Sequence, residues 1–455
     1  MRRETGFAAA NVFVFIPLLL LLAAVFFCLD ADSCSASGVF RPPSVGAGLP
    51  AGIEEFELVE SVPVETDMDN QEIRNTHEVW LEMIGGAANT LEVAEFYVSD
   101  APGEPLEDVL NAIVDAAQRG VRVRFVVDSK MYRTYPERLD WLSRQKNVLV
   151  RTIDMGRISG GVMHAKYFIV DGKEVFLGSQ NFDWRALKHI HEIGCRVKSK
   201  EFAGVFSDLF ELDWKSAEGL GNKARDSGVG GAREQYVAHK TYRLPLAGLV
   251  NVPYPHGTIP SKYGSKDTVV VWPVYGPRGF IPDEKLWDEQ NIVKLIDSAR
   301  REIDIQVLTY STISDGAYYP ILDNALRNAA ARGVLVKLIV SDWAKSHPQI
   351  DCLKSLGLMP NIGVKLSTIP EWSGGFVPYA RVEHCKYMVV DGNMSWIGSS
   401  NWERSYFYGS RNVGLVVKSL AIAEMLRQIF YKDWDGEYTY TVRPDVQYQP
   451  PKRSE

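Results

Sequence analysis

Two stretches of the chain show the same succession of hydrophobic and polar positions. In the first, LEVAEFYVSD alternates apolar and polar residues, EPLEDVLNAIVDAAQRG has apolar residues at helical spacing, and VRVRFVVDS is a β-rich run after a glycine. In the second, REIDIQVLTYS, YYPILDNALRNAAARG and VLVKLIVSDW follow in the same order. Because period-two alternation indicates a strand and a period of 3.6 a helix, each stretch predicts a βαβ unit with parallel neighbouring strands.

A polar motif follows each of these units. HAKYFIVDGKEVFLGSQNFDW begins at His164 and HCKYMVVDGNMSWIGSSNWER begins at His384, and the differences 384 − 164, 398 − 178 and 401 − 181 all equal 220. Farther on, FSDLFELDW ends at Trp214 and LRQIFYKDW ends at Trp434, again 220 apart. Solenoid repeats are only about 20–50 residues long, so this spacing indicates duplication of a whole domain.

The sequence therefore predicts an α/β protein of two homologous α/β/α halves. We expect mostly parallel sheets packed about a pseudo-two-fold axis, with an active site at the interface between the halves. The length of 455 residues suits two domains. The predicted divisions are a linker or stalk at 33–68, the first half at 69–220, an insert at 221–272, the second half at 273–440 and a C-terminal tail at 441–455.

The N-terminus has the pattern of a membrane-targeting segment over residues 1–32. MRRETG precedes the apolar run NVFVFIPLLLLLAAVFFCL. The run is nearly as long as the roughly 20 residues that span a bilayer, which favours an uncleaved signal anchor over a cleaved signal peptide. The leading arginines place the catalytic part on the extracytoplasmic or lumenal side, or outside the cell after cleavage. The sequence leaves a homodimer open.

Charge and cysteine content narrow the class of protein. The net charge of −7 argues against a protein that coats long nucleic-acid duplexes. Beyond Cys28 and Cys34, which lie in or next to the N-terminal segment, only Cys195, Cys352 and Cys385 remain, so no disulfide-dense scaffold is indicated.

Each polar motif reads as a strand that runs into a hairpin. Alternation puts His164 and Lys166 on one face, with Ala165, Tyr167 and Ile169 on the other. With Asp171-Gly172 as a two-residue loop, the register places one serine opposite the histidine and one asparagine two residues farther along the same face. The polar sets predicted from the two hairpins are His164, Lys166, Ser179 and Asn181, and His384, Lys386, Ser399 and Asn401.

The two sets together suit a phosphodiester. Its cleavage needs an attacking group, a proton for the leaving oxygen and stabilisation of the charge on the phosphoryl oxygens. A histidine, with its reference pKa of about 6.5, can attack when neutral or donate a proton when charged. We therefore expect one half to supply the attack and the other the proton, with no cofactor. The sets do not form a dedicated metal cage, which would need carboxylates or thiolates.

Other residues near the motifs are secondary candidates. Glu192 can hold an imidazole, and the position 220 residues later is Asn412, so the sequence does not assign the attacking histidine. Asp171 and Asp391 lie in the hairpin turns, where they are expected to fix the turn before any catalytic part. Cys385 is expected in the core. His189 and His191 are more typical of supporting or surface positions.

The motifs H-x-K-x4-D and G-S-x-N, each present twice, resemble those of the phospholipase D superfamily. The resemblance covers about Glu78 to Trp434. It implies that one motif histidine forms a covalent phosphohistidine, which water or an alcohol then resolves. It also implies that the other histidine acts as acid and base and that no metal is required.

The substrate is less well determined than the reaction. GSQNFDWRAL, SSNWERSYF and VSDWAKSHPQ are similar to the branch that contains lysosomal 5′-exonucleases and poxvirus envelope phospholipases. This favours 5′-exonuclease cleavage of single-stranded DNA or RNA, with a phospholipase or phosphatidyltransferase acting on membrane lipids as the alternative. Aromatic residues near the motifs could stack on bases, meet lipid or pack in the core; they are Trp184, Trp402, Tyr406 and Phe407.

Overall fold

The computed structural model describes residues 52–220, 242–251, 266–314 and 316–454. The predicted signal anchor or signal peptide at 1–32 lies outside these residues, as does the linker up to residue 51. Within the described ranges, no helix combines the length and the apolar character that crossing a bilayer requires.

The first half is built from eleven strands and six helices in the described part of the chain. The strands are β1 (Glu55–Ser61), β2 (Arg74–Asn75), β3 (Thr90–Glu95), β4 (Val98–Ser99), β5 (Arg122–Asp128), β6 (Val148–Ile153), β7 (Tyr167–Val170), β8 (Glu174–Gly178), β9 (Phe182–Asp183), β10 (Glu192–Lys198) and β11 (Glu218–Gly219). The helices are α1 (Thr76–Gly85), α2 (Pro105–Gln118), α3 (Ser129–Tyr132), α4 (Glu137–Ser143), α5 (Met155–Ile158) and α6 (Lys200–Ser216).

The second half repeats this series. Its strands are β12 (Leu246–Asn251), β13 (Lys266–Gly276), β14 (Glu302–Val307), β15 (Ile313–Ser314), β16 (Ala317–Tyr318), β17 (Leu335–Ser341), β18 (Ile362–Ser367), β19 (Tyr387–Val390), β20 (Met394–Gly398), β21 (Asn412–Lys418) and β22 (Thr439–Thr441). Its helices are α7 (Asp288–Ser298), α8 (Ile321–Ala331), α9 (Gln349–Gly357), α10 (Arg404–Tyr408) and α11 (Leu420–Asp435), with short 3₁₀ turns at Glu284–Leu286 and Asp342–Lys345.

Each half contains a nine-stranded sheet with the same central order. The first runs β11-β6-β5-β3-β7-β8-β10-β1-β2 and the second β22-β18-β17-β14-β19-β20-β21-β13-β12. The strand β8 contacts β20 and β21 of the other sheet, and β10 contacts β20, so the motif strands of the two halves face each other. The predicted pair of homologous α/β halves is confirmed.

The sheets are mixed, which corrects the prediction that they are mostly parallel. The βαβ strands β3, β5 and β6 pair in parallel, as predicted. From β7 onward the strands are joined by hairpins or short returns, and β3, β7, β8, β10 and β1 pair antiparallel in turn. A tight turn can only connect antiparallel neighbours, and each motif hairpin therefore imposes this direction on half of its sheet.

Four strands lie wholly or partly in ranges predicted as linker, insert or tail, namely β1, β12, β13 and β22. The strand β1, inside the predicted 33–68 linker, pairs with β10 along its whole length. Within the predicted 221–272 insert, β12 pairs with β13, which takes the place of β1 in the second sheet. The strand β22 ends inside the predicted tail and pairs with β18. In β1, apolar residues such as Phe56 and Leu58 alternate with polar ones and form a strand despite the neighbouring glycines and prolines.

The motif hairpins have loops of three residues, one more than predicted. Val170 pairs with Glu174, and the Lys173 amide donates to the Val170 carbonyl over 2.9 Å. Asp171 and Gly172 both adopt positive φ, 53° and 59°. The register is therefore shifted by one residue, which would put Gln180 and not the predicted Ser179 opposite His164. The predicted faces of the first strand hold: Ala165, Tyr167 and Ile169 pack in one core, and Phe168 and Val170 in another.

Candidate active site

The chain segments that carry the histidines cross from one half to the other. The His164 amide donates to the Arg411 carbonyl over 2.9 Å, and the His384 amide donates to the His191 carbonyl over 2.9 Å. The amides of Arg411 and His191 donate in return to Val162 and Val382, over 2.9 and 3.1 Å. These parallel bridges are related by the pseudo-two-fold, and they place each motif histidine beside the β10 or β21 strand of the opposite half.

The backbones of the two halves also approach each other closely beside one of these crossings. A Cβ on Gly161 would lie 2.3 Å from the Gly409 carbonyl carbon in the opposite half. Since real side chains do not approach so closely, a glycine is required here.

Each motif histidine is held by a side chain from the other half. His384 Nδ1 lies 2.7 Å from Glu192 Oε2, and His164 Nδ1 lies 3.0 Å from Asn412 Oδ1. The Asn412 amide group donates to the carbonyls of Tyr406 and Ser410, which leaves its oxygen to accept from His164. Glu192 follows His164 in the chain but serves His384, a crossing that sequence spacing did not reveal.

Both motif lysines are fully buried between the halves. Lys166 Nζ donates to the His164 carbonyl over 2.6 Å, and Lys386 Nζ to the His384 carbonyl over 2.8 Å. An ammonium group has three donors, so each lysine retains donors for a ligand. Burial lowers the pKa of Lys386 to about 8, against the opposing effect of Glu192. Burial also lowers the pKa of Lys166, and Glu95 opposes this shift.

The environment favours neutral imidazoles in the free protein. His164 and His384 are buried, and this burial lowers the pKa of both well below the usual range. Lys166 and Lys386 lower them further. An anion bound at the lysines would offset this repulsion and favour protonation of a histidine.

Glu95 is a site residue that the sequence reasoning missed. It ends β3, is buried, and has one carboxylate oxygen without a hydrogen-bond partner. Burial raises the pKa of Glu95 well above its usual range, and Lys166 is the largest opposing influence. The equivalent of β3 is β14, which ends at Val307, so the second half lacks this carboxylate. The only sequence signal was an acidic residue at the end of an apolar strand.

The motif asparagines and serines have different surroundings. Asn181 and Asn401 are buried, and the amide oxygen of each has no partner among the described residues. By contrast, Ser179 Oγ donates to the Ile193 carbonyl and accepts from the Ile193 amide. Ser399 makes the equivalent bonds with Val413 and also donates to Asn412. The serines thus tie the hairpins to β10 and β21, while the asparagines keep unused polar groups.

The motif aspartates lie at the far end of the hairpins, away from the histidines. Asp171 accepts from the backbone amides of Ala88, Asn89 and Thr90, over 3.1, 2.6 and 2.9 Å. Asp391 accepts in the same way from the amides of Arg300 and Arg301, which precede β14, and of Glu302, its first residue. This geometry fits the predicted role of fixing the turn.

The four aromatic candidates are placed differently from one another. Trp402 and Phe407 are buried, and the Trp402 ring packs 6.2 Å from that of Trp396. Trp184 is half-buried against His189, with ring centroids 5.5 Å apart. Tyr406 alone of the four contacts a motif histidine: its ring lies edge-on to His164, 4.9 Å between centroids. Phe96 lies on another side of His164, at 5.2 Å.

Among the described residues, one group of three offers closely spaced potential metal ligands. His191, Glu383 and Cys385 place ligand atoms within 4.8 Å of one another, all buried. His191 Nδ1 already lies 2.7 Å from Glu383 Oε2, so an ion there would have to replace this pair.

Comparison with known proteins finds sequence relatives over most of the chain. The family model described as "Cardiolipin synthase, PLD-like domain" matches residues 80–214 and 292–434. The 5'-3' exonuclease PLD3 of Bos taurus is 31% identical over 414 residues, covering 85% of this chain and 80% of that protein. The virion nicking-joining enzyme of Vaccinia virus (strain Western Reserve) is 30% identical over 405 residues, covering 84% and 88%.

Two further similarities involve proteins named for lipid chemistry. Phospholipase D Y of Dictyostelium discoideum is 27% identical over 409 residues, covering 85% of this chain and 92% of that protein. The crystal structure of phosphatidylserine synthase from Haemophilus influenzae Rd KW20 matches with a TM-score of 0.55 and 13% identity, covering 82% and 85% of the two chains. At that identity the structural match shows a shared fold alone.

Replacing Asp391 by alanine should destabilise the protein without removing its chemistry. Three backbone amides would lose their carboxylate acceptor, and we expect the free energy of unfolding to fall by about 1–3 kcal/mol in urea titrations. The kcat per folded molecule on an aryl phosphodiester should stay within about threefold of wild type, since the site is left intact. Asp391→Asn is the matched control. Unchanged stability with a lost kcat would instead make the aspartate catalytic.

Proposed function

Because the chain belongs to the phospholipase D superfamily, as its motifs and its relatives show, we propose that the site described above cleaves a phosphodiester through a covalent phosphohistidine. The observation that carries the proposal is the convergence of two histidines and two buried lysines, one of each from either half. The enzyme is a phosphodiesterase, and the predicted branch, with its exonuclease and poxvirus relatives, is confirmed.

We assign the attack to His384. When its Nε2 bonds to phosphorus, positive charge builds up on the ring, and the Nδ1–H donated to Glu192 places a carboxylate where that charge develops. Asn412 offers His164 only a neutral oxygen. His164 is therefore suited to protonate the leaving oxygen, since a neutral partner does not hold the proton as strongly as a carboxylate does.

The rest of the site stabilises the phosphoryl group. Lys166 and Lys386 donate to its non-bridging oxygens with the N–H groups left free by their backbone bonds. Asn181 and Asn401 add amide donors from each half. After the leaving group departs, His164 takes a proton from a water molecule, which attacks phosphorus and releases His384. The P–N bond breaks, the product carries the new oxygen, and the proton stays on His164.

We infer that the substrate is single-stranded nucleic acid cleaved from its 5′ end. The support is the similarity to a protein named a 5'-3' exonuclease and the rings of Phe96 and Tyr406 beside His164, which can stack on bases. A phospholipid remains the alternative, because one relative is named a phospholipase D and the matching family model a cardiolipin synthase domain.

We further propose that the N-terminal segment anchors the protein and holds the catalytic part on the extracytoplasmic or lumenal side. The support is the sequence pattern, two arginines before a long apolar run. One chain carries both motifs, so the site is complete without a second copy, and the predicted homodimer would not be needed for chemistry.

Trapping the covalent adduct tests the assignment of the histidines. Thymidine 5′-(p-nitrophenyl phosphate) has a leaving group that needs no proton, so His164→Ala should still release p-nitrophenolate in a burst and accumulate a nucleotide adduct on residue 384, located by mass spectrometry. With an unactivated oligonucleotide the same variant should lose about 10²–10⁴-fold in kcat, the usual contribution of a general acid. His384→Ala should give neither burst nor adduct. An adduct on His164 would reverse the assignment.

The choice between nucleic acid and lipid is tested with a protein that lacks the apolar N-terminal run. Residues 52–455 would be incubated with a 5′-labelled single-stranded oligonucleotide, and separately with phosphatidylcholine and phosphatidylglycerol vesicles. We expect stepwise shortening of the oligonucleotide from the 5′ end and no lipid turnover, both compared with His384→Ala as the inactive control. Lipid hydrolysis without nuclease activity would move the protein to the phospholipase alternative.

A further inference from the structure

A second histidine–glutamate pair crosses the interface immediately beside the first. His191 Nδ1 lies 2.7 Å from Glu383 Oε2, and the next residue on each segment forms the pair Glu192 and His384. The segments run parallel here, as the bridge between His191 and Glu383 shows. Since neighbouring residues of an extended segment point to opposite faces, one pair faces the phosphate site and the other faces away from it.

The pseudo-equivalent position in the other half carries a permanent cation. His191 corresponds to Arg411, because 191 + 220 = 411, and Asp433 corresponds to Asp213. The Arg411 guanidinium binds Asp213 over 2.7–3.0 Å and donates to the Gly276 carbonyl over 2.6 Å, fully buried. The Arg411 backbone in turn holds His164. A buried cation thus braces the crossing that holds His164.

At the crossing that holds His384, His191 is surrounded by carboxyl groups. Asp433 Oδ2 lies 3.5 Å from His191 Nδ1, and Glu60 of β1 also acts on the ring. Burial alone would lower the pKa of His191, but Glu383 and Asp433 raise it to about 10. The Asp433 carboxylate is itself fixed by Gln306, and Glu383 accepts from the Cys385 amide over 2.9 Å. Three carboxyl groups thus surround one imidazole, and replacing it by a neutral side chain would remove the cationic partner that Glu383 and Asp433 share.

We propose that His191 is a positioning residue for the reaction: its pairing with Glu383 and Asp433 fixes the strand crossing that delivers Glu192 to His384. The residue touches no substrate and acts through the backbone bond from the His384 amide to its own carbonyl. The inference rests on the proposed catalytic role of His384. It adds a requirement that the motifs do not contain, a cation on the far side of the crossing.

Two substitutions of His191 distinguish the effect of its charge from the effect of its size and shape. His191→Gln removes the cation, and His191→Arg restores it in the form that the other half uses. An arginine here would meet Asp433, as Arg411 meets Asp213. It would also meet the Ser61 carbonyl, the counterpart of the Gly276 carbonyl that Arg411 binds. Ser61 pairs with Glu192 as Gly276 pairs with Asn412, and Asn412 is the residue 220 positions after Glu192. On thymidine 5′-(p-nitrophenyl phosphate) we expect kcat to fall by about 10²-fold in the glutamine variant with little change in KM, and to be largely restored in the arginine variant.

The decisive readout does not depend on turnover. In protein labelled with ¹⁵N-histidine, the Nδ1–H of His384 should give a low-field proton resonance because it is donated to Glu192. The resonance that disappears in His384→Ala is the one from His384. A second low-field signal is expected from His191, and this substitution distinguishes the two. We expect the His384 resonance to be retained in His191→Arg and lost or shifted upfield in His191→Gln, with circular dichroism confirming that both variants are folded.

An unchanged His384 resonance in folded His191→Gln would overturn the inference. So would its loss in both variants, because the role would then not belong to the cation. If wild type cleaved no phosphodiester, the proposed function would fail, while the resonance would still decide whether His191 positions the Glu192–His384 pair.

Discussion

The site depends on two short stretches of backbone hydrogen bonding that join the halves. Each motif histidine donates its amide to a carbonyl of the opposite half, at Arg411 for one and at His191 for the other. These bonds bring Asn412 and Glu192 to the histidines and set the two buried lysines face to face between the sheets. The spacing within one motif could not build this arrangement alone, because each motif histidine takes its side-chain partner from the other half.

The buried charges explain why the two halves do not behave alike. Two ammonium groups in a low-dielectric interface are costly, and Glu95 and Glu192 are the carboxylates with the largest effect on the pKa of Lys166 and of Lys386, respectively. Both carboxylates belong to the first half, since the equivalent positions are Val307 and Asn412. The departure from symmetry leaves one histidine beside a carboxylate and the other beside an amide, and our proposal of separate attacking and proton-donating histidines rests on this difference.

The sequence predicted the duplication, the two α/β halves, the polar hairpins and the two faces of β7, because these follow from local alternation and from a constant spacing of 220 residues. It did not predict that Glu192 serves His384, since a chain gives no register between its two halves. The predicted hairpin loop was one residue shorter than the observed one, because Lys173 belongs to the turn and not to the strand that follows it. Glu95 was missed as a site residue because its partner Lys166 lies far away in the chain.

The most direct test of a single site built from both halves is the binding of tungstate, a phosphate mimic, by isothermal titration calorimetry. One tungstate per chain is predicted, and either Lys166→Ala or Lys386→Ala alone should abolish that binding, because both ammonium groups hold the same anion. Two tungstates per chain, each removed by only one of the substitutions, would contradict the account.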